Sequence, residues 1–277
     1  MTHRLDQLTW KDIDDRRQHS PLIIVPVGSC EQHGPGLALN TDAERARAFA
    51  DLLADRIAPL ALVTPPIPVG VSEHHMGFPG TLTLSPTTFV QVVFEIVESV
   101  VRHGWQRVFV INGHGGNDPA LGVLATKIMR DLPEICFAWS GISPLVTDIS
   151  ADHSTSDLRG HSCELETSQT MYLAPTSVYA DRLDAGTSSR SQLTAQAGLS
   201  RSRRAIHYPL PYDRVTPTGA LGDARTANAD LGKLLIDTAL ERLVPFLIEF
   251  ANSDPAPSVK PTKNTSNDDI FERNNQQ

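Results

Sequence analysis

The strongest constraint on the fold is an alternation of short apolar runs, rich in β-branched residues, with longer amphipathic segments. Residues 22–27 form one such run, which ends at Gly28 and is typical of a buried strand. In residues 42–57 apolar side chains recur at helical spacing, so a helix is expected there. The same reasoning predicts strands over 61–64, 108–111 and 135–139, and helices over 86–103, 119–132 and about 227–250. The pattern predicts an α/β fold with a mostly parallel sheet and helices on both faces.

The length and composition suit one globular domain, which we predict over residues 1–252. The chain has 277 residues, of which 40% are hydrophobic and 20% charged, enough for one substantial core. Residues 253–277 are rich in Pro, Asn, Asp and Lys. We predict a disordered tail there, because so little apolar surface cannot offset the entropy of ordering. Residues 186–207 are rich in Ser, Arg and Gln and are predicted to form a long surface loop or a weakly structured extension.

Charge and cysteine usage exclude several classes of protein. The net charge of −8 and the scattered Lys and Arg residues argue against nucleic-acid binding, which needs a clustered basic face. No stretch approaches the roughly 18 apolar residues of a membrane span, and the N-terminus lacks the apolar core of a secretory signal. Cys30, Cys136 and Cys163 show no paired spacing, which favours a reducing compartment. We therefore predict a cytoplasmic protein that binds neither nucleic acid nor membrane.

Two histidine clusters lie where predicted strands end. Glu31 and His33 follow the run 22–27, and in an extended segment two residues two positions apart point their side chains the same way. His114 follows the run 108–111. Parallel sheets of this kind place ligand sites at the carboxyl ends of their strands. The two clusters are therefore expected to contribute to one site.

Carboxylates and imidazoles together indicate a metal centre. Five candidate ligands would make a two-metal site: Glu31, His33, Asp42, His114 and one acid of the pair Glu164 and Glu166. This mixture suits Zn, Mn or Fe(II) better than Ca or Mg, which prefer oxygen ligands alone. Two ions about 3.5–4 Å apart can hold a bridging hydroxide and polarise the carbonyl that it attacks. Hydrolysis is therefore the expected chemistry.

Five blocks between residues 22 and 173 carry a resemblance to a known family. They are Gly28-Ser-Cys-Glu-Gln-His-Gly-Pro35, Thr41-Asp42, Glu73-His74 with Phe78-Pro-Gly-Thr81, Asn112-Gly-His-Gly-Gly-Asn117, and Glu166-Thr-Ser168. In this order they resemble the creatininase (creatinine amidohydrolase) family. The resemblance implies a three-layer α/β/α sandwich, a binuclear metal site, hydrolysis of amide-type C–N bonds and a homo-oligomer, commonly a hexamer.

The resemblance also implies a role for each candidate residue. Glu31 and His114 would bind one ion, His33 would bind the other, and Asp42 would bridge them. His161 would be the catalytic acid/base group, a role that needs a pKa near the working pH and that histidine supplies with little tuning. Zn is the favoured ion, with Mn or Fe(II) as alternatives.

Two departures from the family pattern limit what is carried over. In creatininases proper, a glutamate two residues after the strand-end histidine completes the second metal site, whereas this chain has Gly116. We expect Glu164 to supply the missing ligand. Its alternative is Glu166, for which the structural interpretation is that it complements a helix dipole. Gly36 stands where family members often have a histidine, so creatinine is disfavoured as the substrate.

Most candidates also have a structural interpretation. Asp42 is also placed to cap the helix that follows it, and His161 is also suited to a structural role. The loop histidines His74 and His75 either line the pocket or pack against it. The two asparagines near the second cluster are expected to fix the turn around its histidine: Asn112 and Asn117.

The leading functional hypothesis is a binuclear-metal-dependent amidohydrolase that acts on a small-molecule amide, lactam or formamide. Two alternatives keep the same metal centre and change the substrate: a creatininase-fold peptidase and a hydrolase of keto-sugar rings. A third alternative is a non-catalytic homologue in which bound metal serves only the structure. Metal stoichiometry and amide hydrolysis distinguish the enzyme from the non-catalytic protein.

Overall fold

The computed structural model describes residues 2–202 and 206–255. Four parallel strands form one sheet in the order β2-β1-β3-β4. The strands are β1 (Leu22–Val27), β2 (Ala61–Val63), β3 (Arg107–Asn112) and β4 (Cys136–Gly141). The two central strands pair along their whole length, from Leu22 opposite Arg107 to Val27 opposite Asn112. Their carboxyl ends therefore lie side by side.

Helices cover both faces of the sheet. They are α1 (Trp10–Arg17), α2 (Thr41–Arg56), α3 (Pro86–Arg102), α4 (Asp118–Asp131), α5 (Thr147–His153), α6 (Glu164–Leu173), α7 (Ala195–Ser200) and α8 (Ala229–Asn252). Along β1, Leu22 and Ile24 pack with α2, α6 and α8, whereas Ile23 and Val25 pack with α3 and α4. Every residue of β1 is buried, which explains its continuous apolar run. The α/β/α sandwich expected from the sequence is confirmed.

Two strand ends lie against the first turn of α2. A Cβ built at Gly28 would lie 2.4 Å from the backbone of Ala43, and one built at Gly113 would lie 2.2 Å from the carbonyl oxygen of Asp42. Real Cβ atoms do not approach other atoms so closely, so both positions require glycine. The two glycines follow β1 and β3, and this contact places Asp42 between the two histidine clusters.

The strands and helices predicted from periodicity agree with the structure to within about two residues at each end. Helices α1, α5 and α6 were not predicted. The segment 186–207, expected to be loop or weak structure, contains α7 and a short 3₁₀ turn, and Ala197 of α7 is fully buried. Most of the predicted disordered tail, 253–277, lies outside the described residues. Within the described ranges, no helix combines the length and the apolar content needed to span a membrane.

Candidate metal centre

Four of the five expected ligands meet at the carboxyl edge of the sheet. The Asp42 carboxylate lies between two histidines: its Oδ1 is 3.3 Å from His33 Nε2 and its Oδ2 is 3.2 Å from His114 Nδ1. Glu31 Oε1 is also 3.2 Å from His114 Nδ1. All four side chains are buried. Asp42 makes no hydrogen bond to a helix N–H in the described structure, so the capping interpretation does not account for it.

Three buried acceptor atoms in this cluster have no hydrogen-bond partner within the described residues. They are Glu31 Oε1, His33 Nε2 and Asp42 Oδ2. A buried polar atom without a partner costs about 1–3 kcal/mol, so three converging acceptors indicate a missing positive partner. Carboxylate and imidazole are ligands of Zn, Mn and Fe(II). The residues therefore fit a divalent metal.

Backbone carbonyls orient the two histidines. His33 Nδ1 donates to the carbonyl oxygen of Glu31 at 3.1 Å, which leaves Nε2 as an acceptor facing Asp42. His114 Nε2 donates to the carbonyl oxygen of Val71 at 3.0 Å, which leaves Nδ1 as an acceptor facing Asp42 and Glu31. Such partners fix the tautomer and the ring plane of metal-binding histidines.

Other polar side chains hold the cluster in place. Ser72 Oγ donates to Glu31 Oε2 at 2.5 Å, so the other carboxylate oxygen of Glu31 remains available. Asn112 contacts the backbone of His114 through both its amide nitrogen and its oxygen. Asn117 donates to the carbonyl of Gly28 and accepts from the N–H of Val71. The asparagines therefore fix the turn around His114, as expected.

Glu164, chosen from the sequence as the fifth ligand, does not face the cluster. Its Oε1 accepts from Ser154 Oγ at 2.7 Å and from the N–H groups of Thr155 and Ser156, while Oε2 accepts from Ser156 Oγ and the N–H of Asp223. Both oxygens are thus engaged in holding a loop. The expectation for Glu164 is corrected: this side chain anchors residues 154–156 to α6.

Glu166 occupies the position expected of the fifth ligand. Its Oε2 lies 3.9 Å from His33 Nε2 and accepts from the N–H of Ser162, and its Oε1 pairs with the buried guanidinium of Arg45. Arg45 also lies 3.5 Å from Asp42 Oδ1. Residues two apart on a helix point in different directions, so only one of the two glutamates can face the sheet edge.

We predict opposite effects for two isosteric substitutions on α6. Glu166→Gln should weaken binding of the second ion by at least about 100-fold, because it removes a charged ligand. Glu164→Gln should leave metal content unchanged and lower the free energy of unfolding by about 1–3 kcal/mol, because the amide nitrogen cannot accept the loop N–H groups. Metal analysis and chemical denaturation measure the two effects. Loss of an ion from Glu164→Gln alone would restore Glu164 as the ligand.

The ligand pKa values show how strongly the cluster attracts positive charge. Burial opposes the charged form of His33, but the carboxylates of Asp42, Glu166 and Glu31 outweigh it and raise its pKa to about 9. Burial likewise opposes charge on His114, whose pKa Glu31 and Asp42 raise well above its usual value. Burial would raise the pKa of Asp42, but the two histidines hold it well below its usual range. Without an ion these carboxylates attract protons to the two rings. A divalent ion would supply that positive charge instead, and His33 Nε2 and His114 Nδ1 would then be its ligands.

A wall of aromatic rings borders the cluster. His161 Nδ1 lies 3.7 Å and His75 Nε2 3.5 Å from Glu31 Oε1, and the two rings are 4.3 Å apart. Burial lowers the pKa of His161 to about 3, with added repulsion from His33, and burial also lowers the pKa of His75. Both rings are therefore neutral at neutral pH. Tyr212 packs on them, with its ring centroid 4.2 Å from that of His75.

The sequence left the role of His75 open and gave no indication of Tyr212. His75 lies in the short 3₁₀ turn Glu73–His75, and Tyr212 begins another, Tyr212–Arg214. Neither turn belongs to a periodic segment, so no pattern placed them beside β1. The only signal was the pair of adjacent histidines itself. Cys163 and Cys30 have thiol pKa values raised by burial, which disfavours a nucleophilic role.

A cleft of about 470 Å³ adjoins the cluster at His74, whose ring stacks on that of His114. Ser200, Arg201, Tyr208 and Leu210 form part of its lining. The Arg201 guanidinium lies 5.6 Å from the ring centroid of Tyr212. The segment predicted as a weakly structured loop thus contributes a wall beside the candidate metal centre.

The fold and the cluster together define an α/β/α protein with a candidate metal centre at the carboxyl edge of its sheet. The creatininase family model, described as creatinine amidohydrolase, matches residues 6–247. A mycofactocin precursor peptide peptidase of Mycolicibacterium smegmatis is 32% identical over 225 residues, covering 79% of this chain and 81% of the relative. The chain therefore belongs to the creatininase family.

Solved creatininase structures share the fold. Two of them, one described as "Creatininase Mn" and the other as a mutant creatininase of Zn-Zn type, have TM-scores of 0.75 and 0.76 with this chain. Each is 25% identical in sequence, and the similarity covers 90% of this chain and 98% of theirs. Creatininases of this fold therefore occur with Mn and with Zn.

Proposed function

We propose that this protein is a hydrolase with two divalent metal ions that cleaves an amide C–N bond. The observation that carries the proposal is the convergence of three partnerless buried acceptors, on Glu31, His33 and Asp42, beside the acceptor nitrogen of His114. A structural metal needs one closed set of four ligands, and this cluster offers acceptors on both sides of Asp42. Membership of the creatininase family supports the same chemistry.

We assign the ligands to two ions on the basis of the distances between them. Glu31 and His114 would hold one ion, His33 and Glu166 the other, and each oxygen of Asp42 faces one of the two histidines. When bound, two such ions supply Lewis acidity and activate water at neutral pH, with Zn favoured over Mn or Fe(II).

The surrounding residues would orient the substrate and move protons. His161 is a neutral imidazole whose Nδ1 faces the cluster, so its position suits it to take a proton from water and pass it to the leaving nitrogen. Burial holds its pKa below the range that best suits this role, so the assignment depends on its position. The buried rings of His75 and His161, with the half-buried ring of Tyr212 packed on them, limit the access of bulk water from that side. Arg45 holds Glu166 and neutralises part of the negative charge of the cluster.

Metal analysis combined with an amide panel tests the proposal. We expect two equivalents of Zn, Mn or Fe per chain after reconstitution, activity that disappears on chelation, and recovery when the ion is returned. The panel should contain cyclic ureas, lactams, formamides and short peptides, with the metal-free protein as the matched control. One tightly held ion together with no turnover on any substrate would show a metal-binding protein without this activity.

A peptide substrate is the second candidate, and two observations favour it. The relative at 32% identity is named a precursor peptide peptidase, and the cleft at His74 extends the site beyond what a small ring would fill. Turnover of peptides but not of lactams or formamides would select this candidate. The family resemblance also supports a homo-oligomer, commonly a hexamer, which light scattering of the purified protein would measure.

A further inference from the structure

Gln32 lies between two proposed metal ligands in sequence, but its side chain contacts the wall of aromatic rings, at His75. Glu31 and His33 meet at Asp42 and His114, whereas the Gln32 side chain reaches His75 and the backbone of Gly219. Its side chain is buried and lies within hydrogen-bond distance of His75, with its amide nitrogen 2.7 Å from His75 Nδ1. The proposed function gives this residue no role.

The orientation of the Gln32 amide is fixed by two backbone groups. Its Oε1 accepts from the N–H of Gly34 at 2.9 Å, and its Nε2 lies 3.2 Å from the carbonyl oxygen of Gly219, to which it donates. The backbone comes this close because position 219 has no Cβ, which would lie 1.8 Å from Gln32 Oε1. The nitrogen therefore faces His75 and must donate to its Nδ1. A neutral imidazole that accepts at Nδ1 carries its proton on Nε2.

Gln32 also determines which ring nitrogen of His161 carries the proton. Its Nε2 lies 2.6 Å from the backbone carbonyl oxygen of Gln32, which can only accept, so Nε2 carries the proton and Nδ1 is free. Gln32 Nε2 also lies 3.2 Å from His161 Nε2, but both amide protons already go to His75 and Gly219, so this contact is not a hydrogen bond.

The two neighbouring rings thus present opposite groups to the cluster. His75 presents Nε2–H, 3.5 Å from Glu31 Oε1, and His161 presents the lone pair of Nδ1, 3.7 Å from the same oxygen. We propose that His75 is a catalytic residue whose Nε2–H binds the substrate carbonyl oxygen, and that Gln32 positions this donor through its own hydrogen bond to Nδ1. The inference rests on the proposed amide hydrolysis.

A fixed N–H at this point would act where negative charge develops. When water adds to an amide carbonyl, its C=O π electron pair moves onto oxygen, and a donor already in place stabilises that charge. Removal of one such donor costs about 10²–10³ in kcat in enzymes where it has been measured. His161 would take the proton of the attacking water, so the pair supplies one donor and one acceptor.

Two substitutions of similar size separate a donor role from a packing role. The amide nitrogen of His75→Gln can reach the position of the imidazole Nε2, whereas that of His75→Asn lies at the position of Nδ1. We expect His75→Asn to lower kcat about 100-fold and His75→Gln about 10-fold, with two metal equivalents in both. Equal losses in kcat, or loss of an ion from either variant, would overturn the proposal, the latter because His75 would then be a ligand.

NMR can show which ring nitrogen of His75 carries the proton without any substrate turnover. In ¹⁵N-histidine NMR of the full chain, metal-free and Zn-loaded, the His75 signals, assigned by their loss in His75→Gln, should show the Nε2–H tautomer. Gln32→Met, which keeps the side-chain length and removes the donor, should give a mixture of tautomers with unchanged metal content. A His75 signal of the Nδ1–H form in the wild-type protein would overturn the proposal even if the enzyme hydrolyses amides.

Discussion

Asp42→Asn is expected to release both metal ions and to lower turnover on the order of 10³-fold, which corresponds to about 4 kcal/mol in the activation barrier. The substitution keeps the size of the side chain and removes its charge. Asp42 Oδ1 faces His33 and Oδ2 faces His114, so the amide nitrogen of asparagine would replace a ligand atom on one side whichever way it turns. No other described residue has one oxygen toward each histidine.

Metal content after reconstitution and kcat on any accepted substrate measure this effect. Asp51→Asn, on the same helix, is the matched control, because Asp51 pairs with His3, Arg4 and Arg47 at the surface and not with the cluster. The control should keep both ions and full activity. Two ions retained by Asp42→Asn would remove Asp42 from the centre and leave the helix-capping interpretation.

The sequence best predicted the site residues that lie at the ends of regular strands and helices. Glu31 and His33 directly follow a six-residue buried strand, and His114 follows its neighbour, so the parallel pairing alone brings them together. Asp42 begins the helix between these strands. Hydrophobic periodicity identifies all three elements, and their backbone geometry leaves little freedom for the side chains at their ends.

The sequence could not decide between Glu164 and Glu166 because the helix that carries them has no apolar periodicity. Helix α6 buries polar side chains, among them Thr167, Ser168 and Gln169, so the rule that separates buried from exposed faces does not apply to it. What orients α6 is a buried ion pair with Arg45 and a loop held by Glu164. Neither contact follows a regular spacing in the sequence, so no sequence pattern indicates it.

The position of the wall of aromatic rings could not be predicted from the sequence for a different reason. His75, Gln32 and Tyr212 come from three segments of irregular structure. Contacts between their side chains align them: the Gln32 amide bonds to the His75 ring, and the Tyr212 ring packs on His75. Loops of this kind carry function because a rigid scaffold positions them, but their own sequence shows no period. Adjacent histidines and an alternating Glu-Gln-His segment were the available signals.

Gly116→Ala is expected to release the ion that we assign to Glu31 and His114 and to lower activity about 10- to 100-fold. A Cβ at this position would lie 2.2 Å from His114 Nε2 and 2.5 Å from the carbonyl oxygen of Val71. It would enter the hydrogen bond that fixes the ring of His114, so either the ring or the loop at Val71 must move. Overpacking of this kind also destabilises by about 1–3 kcal/mol.

Gly115→Ala is the matched control for this prediction, because a Cβ at the adjacent glycine meets no atom within 4 Å. It should keep both ions and unfold within about 0.5 kcal/mol of the wild-type protein. Metal content and denaturation of the two variants, measured in parallel, test the prediction, and equal behaviour of both would contradict it.

The same contact would explain why the carboxylate that we propose for the second ion lies on α6. In this chain a side chain at 116 would collide with His114, so the glutamate that creatininases proper have at that position cannot be accommodated. The carboxylate of Glu166 lies instead 3.9 Å from His33 Nε2. A double variant, Gly116→Glu with Glu166→Gln, should therefore not regain the second ion. Its recovery would show that position 116 is open to a ligand and would contradict this steric explanation.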